Sequence, residues 1–185
     1  MKKKMVAFMG VAAFAALLAA AVFAYDWLQG RVDAPENILL IEATPALAPT
    51  AYDFVMQDSA GNEVRLSDFF GRPIVLNFWA TWCPSCVRSS PYFDILHREQ
   101  GDDVQVLKIN LPGGRETRQA VDNFMAENGY TFPLFFDHTG AAAQAYGIRA
   151  IPDTVFICAD GHITARIVGA VNARTMHDGL LSFAQ

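Results

Sequence analysis

The most constraining feature of this chain is a junction near its middle. A near-continuous apolar run with β-branched residues, Pro73 to Trp79, is followed four residues later by Cys83-Pro84-Ser85-Cys86 and then by a stretch of helical periodicity. A run of this kind reads as a strand buried on both faces, which requires covering layers on either side of a sheet. Val87, Pro91, Ile95 and Leu96 recur at helical spacing, so the two cysteines fall at a strand-to-helix turn. A layered α/β domain with a central sheet follows.

Strand and helix signals alternate on both sides of the junction. Tyr52 to Gln57 and Glu63 to Leu66 are short strand-like segments separated by Asp58-Ser59-Ala60-Gly61-Asn62, a hairpin signal, and Ser67 is placed to cap a brief helical turn. Val104 to Asn110 reads as a second strand, Val121, Phe124 and Met125 mark a helix, and Leu134 to Phe136 forms another strand. A small helix over Ala141 to Tyr146, strands at Thr154 to Cys158 and Ile163 to Val168, and a helix from Ala173 to Phe183 complete the pattern. The expected domain spans residues 51–185, with a mixed central sheet flanked by helices. Its roughly 135 residues suffice for a core held by ordinary burial, given an apolar fraction of 52%.

Ahead of this domain, Lys2, Lys3 and Lys4 precede an uncharged run of 20 residues from Met5 to Ala24. As a helix that run is about 30 Å long, one bilayer core. The positive-inside rule keeps the lysines in the cytoplasm and places everything after Tyr25 beyond the membrane. A retained anchor over residues 1–25 is favoured, because the run exceeds the usual apolar region of a signal peptide, about 7 to 15 residues. A cleaved signal peptide, with Val22 and Ala24 as the small residues before the cleavage site, is the alternative. Either way the domain is expected outside the cytoplasm, on the membrane's outer face or secreted. Residues 26–50, with Pro35, Pro45 and Pro49 among alanines, read as a linker whose apolar patch Ile38 to Ile41 docks on the domain or on lipid.

Charge narrows the partners. Setting Lys2, Lys3 and Lys4 aside leaves 11 of the 14 basic residues against 19 acidic ones, a formal charge of −8. Without a basic patch this balance argues against nucleic-acid binding, and the acidity itself reads as a solubility device.

The cysteine pair carries the chemistry. Half of a zinc site would need a second pair or histidines at ligand spacing, but His97, His138, His162 and His177 are scattered singly, so no metal is expected. At the start of a helix, Cys83 meets unpaired N–H groups and the positive end of the helix dipole, which favour a thiolate and make it the nucleophile. Cys86, one turn deeper, faces back toward it as the resolving thiol. Pro84 suits the first helical turn, where its missing N–H has no partner to lose. Cys158, within an apolar strand, reads as a small core residue.

Asn77-Phe78-Trp79-Ala80-Thr81-Trp82-Cys83-Pro84-Ser85-Cys86 resembles the active-site stretch of thioredoxins, particularly the membrane-tethered TlpA/ResA group of the redoxin/thioredoxin superfamily. Tyr146-Gly147-Ile148-Arg149-Ala150-Ile151-Pro152 is similar to the segment that ends in the thioredoxin cis-proline. The resemblance covers Tyr52 to Phe183 and implies a thioredoxin fold with an N-terminal β-hairpin and a helix-strand insertion between Leu111 and Phe136. It also implies a cis peptide before Pro152, a kink at Pro91, and a substrate groove formed by Trp82, Pro84, Ser85, Ile151, Pro152 and Gly169. Two departures stand out: Asn77 occupies the place of a buried Asp in many thioredoxins, and Ser89 that of a Glu in the ResA type. Proton handling at Cys86 is thereby left open, with modest pH tuning expected.

What the resemblance implies is a protein-disulfide reductase without cofactor, acting through a Cys83/Cys86 disulfide on exported proteins, apocytochrome c among the candidates. A membrane dithiol carrier of the CcdA/DsbD kind would re-reduce it. Two rivals use the same thiols: a DsbA-type oxidant, against which Ile151 before the cis-proline argues mildly, and a copper(I)-binding chaperone. A peroxidase would need a Pro and Thr framework upstream of Cys83 that is missing.

Overall fold

The run read as a doubly covered strand is β4 (Ile74–Trp79), buried at every position. In this computed structural model the described residues are Ala20, 38–40 (backbone only), 49–113 and 116–184. The expected membrane span, apart from Ala20, and the residues at the alternative cleavage site lie outside them. Among the described residues no helix is long and apolar enough to cross a membrane.

In chain order the elements are β1 (Ile38–Leu40), β2 (Val55–Gln57), β3 (Glu63–Arg65), β4, α1 (Pro84–Gln100), β5 (Gln105–Asn110) and α2 (Arg118–Asn128). Then come β6 (Leu134–Phe136), α3 (Ala141–Ala145), β7 (Asp153–Ile157), β8 (Ile163–Val168) and α4 (Ala173–Leu181), with 3-10 turns at Leu66–Phe69 and Ser182–Ala184. The strands form one mixed sheet in the order β1-β8-β7-β4-β5-β6-β2-β3. β4, β5 and β6 run parallel, whereas β7 is antiparallel to β4 and β8 to β7. The β2–β3 hairpin and the α2–β6 insertion are both present, giving a thioredoxin-like fold. From the linker, Ile38–Leu40 pairs antiparallel with β8, so this part of the apolar patch extends the sheet edge.

Alternation along the strands sorts the core into two layers. Val75 and Trp79 of β4 join Val106, Phe93, Phe132 and Phe156 on the face covered by α1, while Ile74, Leu76 and Phe78 pack with Leu107, Ile109 and Tyr146 on the other. Trp79 is therefore core.

Three local expectations are corrected. Arg65, not Ser67, caps the 3-10 turn, with its N–H bonded to Asp68; the backbone N–H and hydroxyl of Ser67 instead donate to Asp53. Ile95 is exposed, and the buried face of α1 is Cys86, Ser89, Ser90, Phe93, Asp94 and Leu96. Cys158 is a partly exposed residue just past the end of β7, where its N–H bonds His162 O and begins a turn.

Candidate active site

Antiparallel pairing of β4 with β7 builds the site. Phe78 lies opposite Asp153, so the residues leaving β4 and those entering β7 meet at one end of the sheet. The first group carries Trp82 and the cysteines; the second carries Ile151 and Pro152.

Cys83 is the N-cap of α1, in extended conformation, and its Sγ accepts the N–H of Cys86 at 3.2 Å. Ser85 Oγ approaches the same sulfur at 3.4 Å. Pro84 opens the helix and Pro91 lies within it. Cys83 and Cys86 form a disulfide with their Cα atoms 5.2 Å apart. Exposure separates them: 5% of Cys83 remains accessible against 1% of Cys86, so an incoming sulfur has the readier approach to Cys83. Trp82, beside it in sequence, is 53% exposed.

The Ile151–Pro152 bond is cis, the isomer that the resemblance implies. Ile151 O lies 3.6 Å from Cys83 Sγ, and Pro152 O accepts the N–H of Gly169 at 2.8 Å. Gly169 adopts φ of 115°, a region that disfavours any side chain. All the residues expected in the groove thus belong to the two segments at this sheet end or to the turn that backs them.

The two missing carboxylates are replaced by side chains with partners of their own. Asn77 donates through Nδ2 to Thr154 Oγ1 at 3.0 Å, while its Oδ1 is buried without a partner. Ser89 Oγ donates to Ser85 O at 2.9 Å and accepts the N–H of Val171 at 2.8 Å, tying α1 to the segment after β8.

Three polar features escape the sequence reading. Asp153 is buried in a two-pronged ion pair with Arg166, at 2.9 and 2.6 Å, directly after Pro152, and that carboxylate holds the Arg166 guanidinium above its usual range. Glu116 accepts from Thr81 N at 2.9 Å, from Thr81 Oγ1 and from Asn110, pinning the loop that leads to Trp82. Lys108 is wholly buried beneath α1, and its Nζ donates to Ser90 Oγ at 2.9 Å, which in turn donates to Cys86 O. The Nζ stands 4.4, 4.7 and 4.6 Å from the ring centroids of Trp79, Phe93 and Phe132. Burial lowers the pKa of this amine well below the ordinary lysine value. A sequence signal existed, since Lys108 is the only lysine outside Lys2, Lys3 and Lys4.

A thioredoxin-like fold that presents a Cys-X-X-Cys disulfide at a helix N-terminus defines a thiol-disulfide oxidoreductase. The chain belongs to the redoxin family, whose model matches residues 46–180. It is 35% identical to the thiol-disulfide oxidoreductase ResA of Geobacillus kaustophilus over 138 residues, 73% of this chain and 76% of that protein. With ResA of Bacillus subtilis the identity is 31% over 129 residues, 69% of this chain and 70% of the relative. The crystal structure of the exposed lipoprotein thioredoxin of Streptococcus pneumoniae matches with a TM-score of 0.61 at 30% identity, covering 70% of this chain and 98% of that one. The protein is a ResA-like thiol-disulfide oxidoreductase with its redox centre at Cys83 and Cys86.

Proposed function

We propose that this oxidoreductase works as a reductant of disulfides in exported proteins, tethered by residues 1–25 to the outer face of the cytoplasmic membrane, with residues 26–50 as linker. The Cys83 thiolate attacks a substrate disulfide, forming a mixed disulfide and expelling one substrate thiolate. Cys86, deprotonated, then attacks Cys83 Sγ and expels the second, leaving the substrate reduced and Cys83–Cys86 oxidised. The cis-proline loop receives the substrate as an added strand on Ile151, with Trp82, Pro84, Ser85, Pro152 and Gly169 lining the groove. A membrane dithiol carrier of the CcdA/DsbD kind returns two electrons, since an exported enzyme has no reducing pool around it. Apocytochrome c, whose cysteines must be reduced, is one fitting client.

The observation that carries the direction is the sparse set of polar side chains around Cys83 Sγ. A strong oxidant owes its potential to a stabilised reduced form. Here one backbone N–H and one serine hydroxyl approach Cys83 Sγ, and among the described residues no Arg, Lys or His hydrogen-bonds to it. The test is the reduction potential of the full-length protein in detergent against dithiothreitol and glutathione buffers. A value near or below about −270 mV is expected, and one approaching about −120 mV would make the protein an oxidant. In parallel, Cys86→Ser should accumulate mixed disulfides on Cys83; if no disulfide protein is captured, the roles of the two cysteines are wrong.

A further inference from the structure

The hairpin between β7 and β8 lies at the other end of β7 from Pro152, about 17 Å along a five-residue strand. It gathers three potential metal ligands within five residues. Cys158 Sγ is 2.7 Å from Asp160 Oδ1, and His162 Nδ1 is 3.1 Å from the same oxygen. The three ligand atoms lie within 4.8 Å of one another. His162 Nδ1 is buried and has no hydrogen-bond partner, so its approach to the carboxylate lacks the alignment of a hydrogen bond.

The backbone holds this arrangement from several sides. Cys158 N donates to His162 O and Gly161 N to Cys158 O, both at 2.9 Å, and His162 bridges to Thr50. Gly161 turns with φ of 87°, and a Cβ there would come within 3.1 Å of the Phe70 ring. A thiolate, an imidazole nitrogen and a carboxylate oxygen together suit zinc, a borderline-soft ion. Tetrahedral zinc with ordinary bond lengths sets nitrogen and oxygen donors about 3.3 Å apart, and sulfur and oxygen about 3.6 Å apart. The observed 3.1 and 2.7 Å therefore need to open by about 0.2 and about 0.9 Å. Asp160, with its side chain 69% exposed, has room to make that adjustment, giving up the hydrogen bond that the Cys158 thiol donates to its Oδ1.

We propose that Cys158, Asp160 and His162 form a binding site for one zinc-class divalent cation, separate from the redox centre, with water as the fourth ligand. Binding exchanges the Cys158 thiol proton, released to solvent, for a sulfur–metal bond, and nothing is oxidised or reduced. Three protein ligands with water in the fourth position make an open site rather than a closed structural one.

The test is cobalt(II) titration of the full-length protein in detergent with Cys83 and Cys86 oxidised, so that Cys158 supplies the single free thiol. Saturation at one ion per chain is expected, with a near-ultraviolet sulfur-to-cobalt charge-transfer band and the visible bands of a tetrahedral ion, all displaced by zinc. Cys158→Ser should abolish the charge-transfer band, and His162→Gln or Asp160→Asn should weaken binding about tenfold or more, with thiol-disulfide exchange retained. Absence of the band, or a titration that His162→Gln leaves unchanged, overturns the proposal. Alkylation of Cys158 in the unaltered protein gives a check that needs no variant: zinc should slow it at least tenfold, and equal rates with and without zinc refute the site.

Discussion

Replacing Lys108 with methionine removes the ammonium from beneath α1 while keeping most of the side chain's volume, and it should raise stability at neutral pH. The favourable interactions of the charge are three aromatic faces at 4.4 to 4.7 Å and one hydrogen bond at 2.9 Å. Each desolvated cation–π contact contributes about 2 kcal/mol, and a charged hydrogen bond about 1.5 to 3 kcal/mol. Against them stands the loss of hydration of an ammonium, of order 20 kcal/mol in the ideal limit and still several kcal/mol after relaxation. Among the described residues no carboxylate pairs with it. We take desolvation to be the larger effect, in keeping with the burial that lowers the pKa of this amine. Above about pH 10.4 the lysine is neutral in both states and carries no penalty. As pH falls between that value and the folded-state pKa, the unfolded chain binds a proton that the folded protein does not. Stability then declines by up to about 1.4 kcal/mol per pH unit. Lys108→Met should therefore be more stable at pH 7 by about 1 to 4 kcal/mol, the range for exchanging buried charge for apolar packing. That is roughly 2 to 4 °C in Tm per kcal/mol. The gap should close toward about pH 10. Thermal and urea unfolding of the full-length protein across that range measures both. A variant less stable than the parent at neutral pH, with a gap that ignores pH, would show that the aromatic cage outweighs desolvation and would refute the reasoning.

Ser89→Ala should lower stability by about 1 to 3 kcal/mol in urea unfolding, because it leaves the Val171 N–H buried and unpaired; a neutral result would mean that water or another acceptor replaces the hydroxyl. Asp153→Asn should lower it by about 3 kcal/mol, since it strips the partly buried Arg166 of its counter-charge, and a change below about 0.5 kcal/mol would contradict the importance given to that pair. Trp82→Ala should leave stability within about 0.5 kcal/mol, as an exposed position allows. It should nevertheless lower kcat/KM for a protein disulfide about tenfold, a loss of about 1.4 kcal/mol in transition-state binding, with a small disulfide unaffected. Equal losses with both substrates would remove Trp82 from the groove.

Patterns that depend on periodicity were legible in the sequence: β4 from its apolar run, the cysteines at a helix start, and β8 to the residue. Features decided by distant partners were less so. Ser67 looks like a cap because it precedes a helical turn, yet Asp53, fourteen residues earlier, claims both its N–H and its hydroxyl. Cys158 continues an apolar stretch and so reads as strand, but its N–H already closes the turn onto His162. Asp153 and Arg166 are thirteen residues apart and carry no local signal; the β7–β8 register brings them together. Lys108 does not interrupt the strand pattern because Val106 and Ile109 make the strand convincing by themselves, and hydropathy averages over one charged residue.

Ser89, at one of the two carboxylate positions that are neutral here, belongs to a row of hydroxyls along the buried face of α1. Ser85 approaches Cys83, Ser89 joins Ser85 to Val171, and Ser90 joins Cys86 to Lys108. Hydroxyls, which do not themselves ionise across the working pH range, hold the helix and the sulfur-bearing turn. The ionisable side chain among the described residues that hydrogen-bonds into this row is Lys108, and it does so through a serine and a backbone carbonyl rather than through either sulfur. A carboxylate next to a thiol would make exchange depend on two coupled titrations. With serines in that place, no carboxylate titration is coupled to exchange through the buried face of this helix.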